Sequence, residues 1–168
     1  MKRLRTVSGD FRHVLLATLF FGAASGVVAS TLNNYLADVH GFDAGERGWL
    51  EFPRELPGFV IFFVVAALLT RMRESRMAAL AMVFTGAGML GLGYLSPAMA
   101  VLVLWIFVWS LGDHIIFAVE GPLGLKLARE GGEGRRLGQL GGARNLGTIL
   151  GVAGIWLLAK ALGVLEQR

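Results

Sequence analysis

Residues 99–127 decide the fold class, and they read MAVLVLWIFVWSLGDHIIFAVEGPLGLKL. No charged side chain occurs between Met99 and Gly112, and most side chains there are large and apolar. A transmembrane helix needs roughly 20 mostly apolar residues to cross about 30 Å of hydrocarbon. This stretch is therefore predicted to be a membrane-spanning helix.

Four further apolar runs of similar length occur at about residues 14–37, 45–70, 77–95 and 137–162. The composition agrees, because 55% of the 168 residues are hydrophobic and only 17% are charged, whereas soluble domains average about 45–50% and about 25%. We expect an all-α integral membrane protein whose five transmembrane helices form one helical domain over residues 1–168 in the lipid bilayer. The absence of cysteine excludes disulfide frameworks and thiolate metal sites.

Basic residues cluster in three segments between the apolar runs. The clusters are Lys2, Arg3, Arg5 and Arg12; Arg71, Arg73 and Arg76; and Lys126, Arg129, Arg135 and Arg136. Cytoplasmic loops carry such an excess of Lys and Arg, so we expect a plasma-membrane protein with a cytoplasmic N-terminus and with Arg168 outside. The positive charges do not share one face, which argues against nucleic acid as a partner. A cleaved signal peptide is the alternative for the first run, but four more spans follow it.

The second run begins with Asp43-Ala-Gly-Glu46, a pattern typical of a capping box at a helix N-terminus. This start places two prolines and three charged residues inside the helix, namely Pro53, Pro57, Glu51, Arg54 and Glu55. The three charged residues lie within helical reach of one another. They are candidates for an outer gate or coupling site. The alternative is an internal ion-pair network that lets the end of the helix tolerate charge.

Small residues recur at the spacing of one helix face in two runs. They are Thr18, Gly22, Gly26, Ala29 and Asn33 in the first run, and Gly147, Gly151 and Gly154 in the fifth. Stripes of this kind let two helix backbones approach closely in lipid. They predict a packed bundle and indicate nothing about its activity.

Ionisable residues inside a span are costly, about 2.5–3.5 kcal/mol at the helix centre, and are therefore candidates for function. In the fourth run, Asp113 and Glu120 lie two turns apart on one face, and His114 lies beside Asp113. A carboxylate in a low-dielectric cavity can carry a proton near neutral pH. We expect these three residues to form a proton or solute site, unless they only join helices or Glu120 is solvated near the cytoplasm.

Three further polar residues are binding candidates. Arg144 shares the face of the glycines in the fifth run, where a guanidinium suits an anionic solute or a carboxylate such as Glu120. Snorkelling to the inner surface is the alternative for Arg144. Asn33 and Asn34 offer neutral donors and acceptors near the outer end of the first run, or they cap the helix end.

The order of these features resembles the N-terminal half of a major facilitator superfamily transporter, from its first helix through its fifth. A glycine-rich first span ends at Asn33-Asn34-Tyr35, a short acidic loop follows, and the second span runs into the basic turn of residues 71–76. The third and fourth spans are joined by Ser96-Pro97. The closest local match is Glu133-Gly-Arg-Arg-Leu-Gly138, which leads into a glycine-rich fifth helix.

The resemblance implies a secondary transporter of a small solute, coupled to an ion or to protons, with helices one and four lining a central cavity. The family has twelve helices, so the resemblance also implies a missing C-terminal half, a partner chain or a homo-oligomer. The alternative is a non-transporting membrane subunit or scaffold. There is no H-E-x-x-H, phosphate-loop or G-x-S-x-G motif, and His13, His40 and His114 are scattered. We therefore expect no enzymatic activity, no cofactor and no metal.

Overall fold

The computed structural model describes the backbone of residues 2–163 and the side chains of these residues apart from 2–9, 62 and 69. Over this range the chain forms five α-helices and no strand. They are α1 (Lys2–His40), α2 (Ala44–Leu69), α3 (Glu74–Tyr94), α4 (Met99–Lys126) and α5 (Glu133–Ala161). Arg168, which the charge pattern predicts to be outside, lies outside the described residues.

The chain is all-helical and has the composition of a membrane protein. Four of the described helices are long and apolar enough to cross a membrane, namely α1 over Asp10–His40, α3, α4 and α5. Each of the five predicted spans overlaps one helix. The 26 residues of α2 are also long enough to span, but its first half carries five charged side chains, namely Glu46, Arg47, Glu51, Arg54 and Glu55.

The predicted capping box at the start of α2 is confirmed. The backbone N–H of Glu46 donates to Asp43 Oδ1 at 2.8 Å, and the backbone N–H of Asp43 donates to Glu46 Oε2 at 2.9 Å. Gly41 precedes the box with φ of +69°, a left-handed conformation that glycine adopts without steric cost and that ends α1. Pro53 and Pro57 lie inside α2, as predicted.

The chain divides into two compact units, one formed by α1 and α5 and the other by α2, α3 and α4. In the first unit, glycines on each helix pack against backbone carbonyls of the other. A Cβ at Gly22 would overlap the carbonyl of Arg144, and one at Gly26 would overlap that of Thr148. Gly26 comes later on α1 than Gly22, and its contact Thr148 comes later on α5 than Arg144, so α1 and α5 run parallel.

The glycines of α5 make the reciprocal contacts, since a Cβ at Gly147 would overlap the carbonyl of Leu19, and one at Gly151 that of Ala23. The predicted stripes are therefore confirmed over these turns. They are wrong farther along, because Gly154 faces open space and Ala29 and Asn33 are exposed. The close backbone contacts cover residues 19–26 of α1 and 144–151 of α5, which is about two turns of each helix at 3.6 residues per turn.

In the second unit, α3 and α4 run antiparallel. Gly88 lies against the backbone of Trp109, and Gly91 lies against the ring of Trp105. On the α4 side, Gly112 lies against Thr85. The indole N–H of Trp105 donates to the carbonyl of Leu95 at 3.0 Å, which fixes the ring beside the end of α3.

Candidate functional site

A cluster of polar side chains joins α2 to α4 near the middle of both helices. We call Glu51, Arg54, Glu55, Ser110 and His114 the α2–α4 polar cluster. Arg54 forms ion pairs with Glu51 and, at 2.9 Å, with Glu55. His114 Nε2 lies 3.6 Å from Glu55 Oε2. Ion pairs are thus present within α2, as the alternative to a gate requires, and the structure adds a histidine from α4 to them.

Ser110 anchors the cluster from α4. Its side chain is buried, and its hydroxyl donates to the backbone carbonyl of Arg54. A backbone carbonyl oxygen has two lone pairs, so the Arg54 carbonyl can accept this hydrogen bond from a second helix.

Ser110 also positions the imidazole of His114. His114 Nδ1 lies 2.9 Å from the Ser110 carbonyl oxygen and 3.1 Å from Ser110 Oγ. Ser110, His114 and Glu55 resemble the serine, histidine and acid of a hydrolase, but the hydroxyl hydrogen of Ser110 is directed to the Arg54 carbonyl. An activated serine instead gives that hydrogen to its histidine. The arrangement suits a serine that joins two helices and holds the imidazole in place.

Gly58 gives the imidazole its room. A Cβ at Gly58 would come within 2.6 Å of His114 Nε2. Arg54 of α2 contacts Ser110 of α4, and Gly58 lies close to His114. Gly58 and His114 each come one turn after the first pair, so α2 and α4 run parallel. The cluster is therefore set by the register between two parallel helices.

The charges of the cluster leave one carboxylate in excess. Glu51 and Glu55 contribute two negative charges, and Arg54 contributes one positive charge, so the formal sum is −1 while His114 is neutral. His114 is the least exposed of the four, with 22% of its side chain exposed against 34% for Arg54 and 51% for each glutamate. A proton on His114 would bring the sum to zero.

The other residues predicted from the sequence lie outside this cluster. Asp113 and Glu120 are half-buried on α4. Arg144 is half-buried on α5, and its guanidinium lies over the ring of Phe21 of α1 at 5.0 Å, so it faces packed protein as predicted. Asn33 and Asn34 are exposed on α1. The structure thus brings together Glu51, Arg54, Glu55 and His114, and their functional role stays a prediction.

Sequence reasoning missed Ser110 and Gly58. The spacing of Ser110 and His114, one helical turn apart, is a signal that could have found the first. Nothing in the sequence pairs α2 with α4, so nothing could have found the second. Among the described residues, no group of three or more His, Cys, Asp or Glu side chains could hold a metal ion.

Comparisons with known proteins add no relative: no protein-family model, curated protein or solved structure matches this chain.

Proposed function

We propose that this chain is a membrane transport protein, a secondary transporter of a small solute that is coupled to protons. The observation that carries the proposal is the α2–α4 polar cluster. Glu55 lies about 17 Å along α2 and His114 about 22 Å along α4, at about 1.5 Å per residue, so both are near the middle of their helices. Ionisable residues at that depth are rare and mark ion or substrate pathways by default.

The surroundings of the cluster support a membrane position for α2. Phe59 and Phe63 follow Glu55 by one and two turns, and 75% and 79% of their areas are exposed. Aromatic side chains so exposed fit a lipid environment better than water. The exposed face of α2 that carries Glu55 is therefore apolar over the next two turns.

The parallel packing of α1 and α5 supports five crossings. If both helices span the membrane in the same direction, an odd number of crossings must separate them. α3 and α4 supply two, so α2 supplies the third. The parallel register of α2 and α4, with α3 antiparallel to α4, agrees with this alternation.

The order of features along the chain is like that of the N-terminal half of a major facilitator transporter. On that basis Asp113, His114 and Glu120 of α4 are the residues of the second unit that bind solute or protons on the transport path, and Asn33, Asn34 and Arg144 are those of the first unit. Further helices, from a C-terminal half, a partner chain or a second copy, complete the path.

Everted membrane vesicles from cells that express the full chain test the proposal, because they retain any partner chains. An imposed pH gradient is followed with a pH-sensitive dye while an amino acid, a hexose, a dicarboxylate or a quaternary ammonium cation is added. At least one of these solutes is expected to dissipate the gradient in these vesicles and not in vesicles from cells without the chain. If none does, the non-transporting subunit is the better account.

Asp113→Asn is expected to abolish that solute-dependent proton flux without reducing the amount of chain in the membrane. The amide cannot carry a proton, and it costs less than a carboxylate to insert into lipid. The flux and the membrane content are measured on the same vesicles. Flux equal to that of the parent would show that Asp113 only joins helices.

The proposed orientation places the start of α2 outside and the turn before α5 inside. The sequence has no cysteine, so one engineered thiol reports one position. Ala44→Cys is expected to react with an impermeant thiol reagent in intact cells, whereas Arg129→Cys is expected to react only after lysis. Ala44 is chosen because it leaves the capping box of Asp43 and Glu46 intact. The reverse labelling pattern would invert the topology.

A further inference from the structure

The hydrogen bonds of His114 determine which ring nitrogen can gain and lose a proton. Nδ1 faces the Ser110 carbonyl oxygen at 2.9 Å. A carbonyl oxygen only accepts hydrogen bonds, so Nδ1 must carry its hydrogen. In the neutral imidazole this leaves a lone pair on Nε2, and Nε2 is the nitrogen that faces Glu55.

Charged groups around His114 come from two helices. α2 presents Glu55 directly, with Arg54 and Glu51 behind it. On α4 itself, Asp113 is the neighbouring residue, about 100° around the helix axis. α3, which packs on α4, carries no charged side chain between Met77 and Leu95. The excess carboxylate of the cluster is therefore the dominant charge facing Nε2.

We propose that Nε2 of His114 is the proton-binding position of the α2–α4 polar cluster and that Glu55 is the group that pairs with the proton held there. A proton from water adds to the lone pair of Nε2, and the charge of the cluster changes from −1 to zero. Release of the proton to water restores the starting state. The protonated ring and Glu55 form an ion pair that links α2 to α4, and this pair is lost when the proton leaves. The role of this step in coupling rests on the proposed function, whereas proton binding itself does not.

The tautomer of His114 is the first test. The full chain, with ¹⁵N-labelled histidine, is placed in lipid nanodiscs, and His114→Asn identifies the His114 signals. At high pH the neutral ring is expected to carry its hydrogen on Nδ1, which is the minor form of free histidine, while the exposed His13 shows the usual mixture. On acidification Nε2 is expected to gain a proton. A neutral ring with its hydrogen on Nε2 would overturn the proposal.

The role of Glu55 is the second test. Glu55→Gln is expected to shift the Nε2 signal of the protonated His114 ring, because the group that faces Nε2 changes from a carboxylate to an amide. Glu51→Gln is the matched control, since Glu51 contacts Arg54 on the same helix. Its effect is expected to be smaller. Equal effects of the two variants would remove Glu55 as the specific partner.

Gly58→Ala tests the geometry without removing a titratable group. The added Cβ would come within 2.6 Å of Nε2, so the ring must shift from its position beside Glu55. We expect the Nε2 signal of the protonated ring to change in Gly58→Ala and not in Gly48→Ala, where the added Cβ meets open space on the same helix. An unchanged signal in both variants would contradict the proposed position of the proton.

These measurements separate the two proposals. A hydrogen on Nδ1 of the neutral ring, combined with no solute-dependent flux in the vesicles, would support the proton site and contradict the transport function. Solute-dependent flux in the vesicles, combined with a neutral ring that carries its hydrogen on Nε2, would support the transport function and contradict the proton site.

Discussion

Gly147→Leu is expected to lower the free energy of unfolding of the full chain by about 3 kcal/mol, at the upper end of ordinary overpacking. Gly147 is buried, and even a Cβ at this position would overlap the carbonyl of Leu19. A backbone oxygen cannot turn aside as a flexible side chain can, so the whole of α1 must move away from α5. Unfolding by sodium dodecyl sulfate in mixed micelles, followed by tryptophan fluorescence, measures the loss.

Gly154→Leu is the matched control, because it adds the same side chain two turns farther along α5, where the added Cβ meets open space. Leucine is a better helix former than glycine by up to about 1 kcal/mol, so this variant is expected to be as stable as the parent or slightly more so. Equal losses at both positions would mean that the close contact of α1 with α5 does not contribute to stability.

Arg54→Gln is expected to reduce the amount of correctly inserted chain about tenfold. Arg54 is the cation shared by Glu51 and Glu55, and its loss leaves two carboxylates facing each other on a span-length helix. A single charge at the centre of a span costs about 2.5–3.5 kcal/mol. Because the cluster is partly exposed, a smaller penalty of about 1.4 kcal/mol is expected, which corresponds to tenfold. Membrane content per cell, measured after carbonate extraction, gives the result.

Adding Glu51→Gln to Arg54→Gln restores the formal charge of the cluster to −1 and is expected to recover most of the inserted chain. Arg71→Gln, in the exposed turn after α2, is the control for the loss of a positive charge in general. It is expected to change the membrane content less than twofold, within the range of exposed substitutions. If the double variant inserts as poorly as Arg54→Gln, the guanidinium acts through packing and not through charge balance.

The sequence predicts those features of the fold that depend on a few neighbouring residues. The start of α2 follows from Asp43 and Glu46, because a capping box needs only a spacing of three. The ion pair of Arg54 with Glu51 is of the same local kind, because it needs only the i,i+3 spacing of a helix. The helices themselves follow from the length of the apolar runs.

Contacts between helices could not be predicted, for a physical reason. A helix that is apolar around most of its circumference gives no indication of which face packs and which meets lipid. The pairing of His114 with Glu55 depends on the rotation and register of α2 and α4, which no local pattern specifies. The same limit applies to Ala29, Asn33 and Gly154, which continue the stripes in sequence but are exposed in the structure.

The packing of α1 on α5 also sets an order of events during synthesis. α1 leaves the ribosome first, and all of α2, α3 and α4 are made before its partner arrives. At about 5–20 residues per second, this delay lasts several seconds. Throughout that time the glycine face of α1 has no backbone to pack against and stays in contact with lipid or with the insertion machinery. The unit of α1 and α5 is therefore the last to assemble, and a nascent chain arrested before Gly147 would have its second unit complete and its first unit unformed.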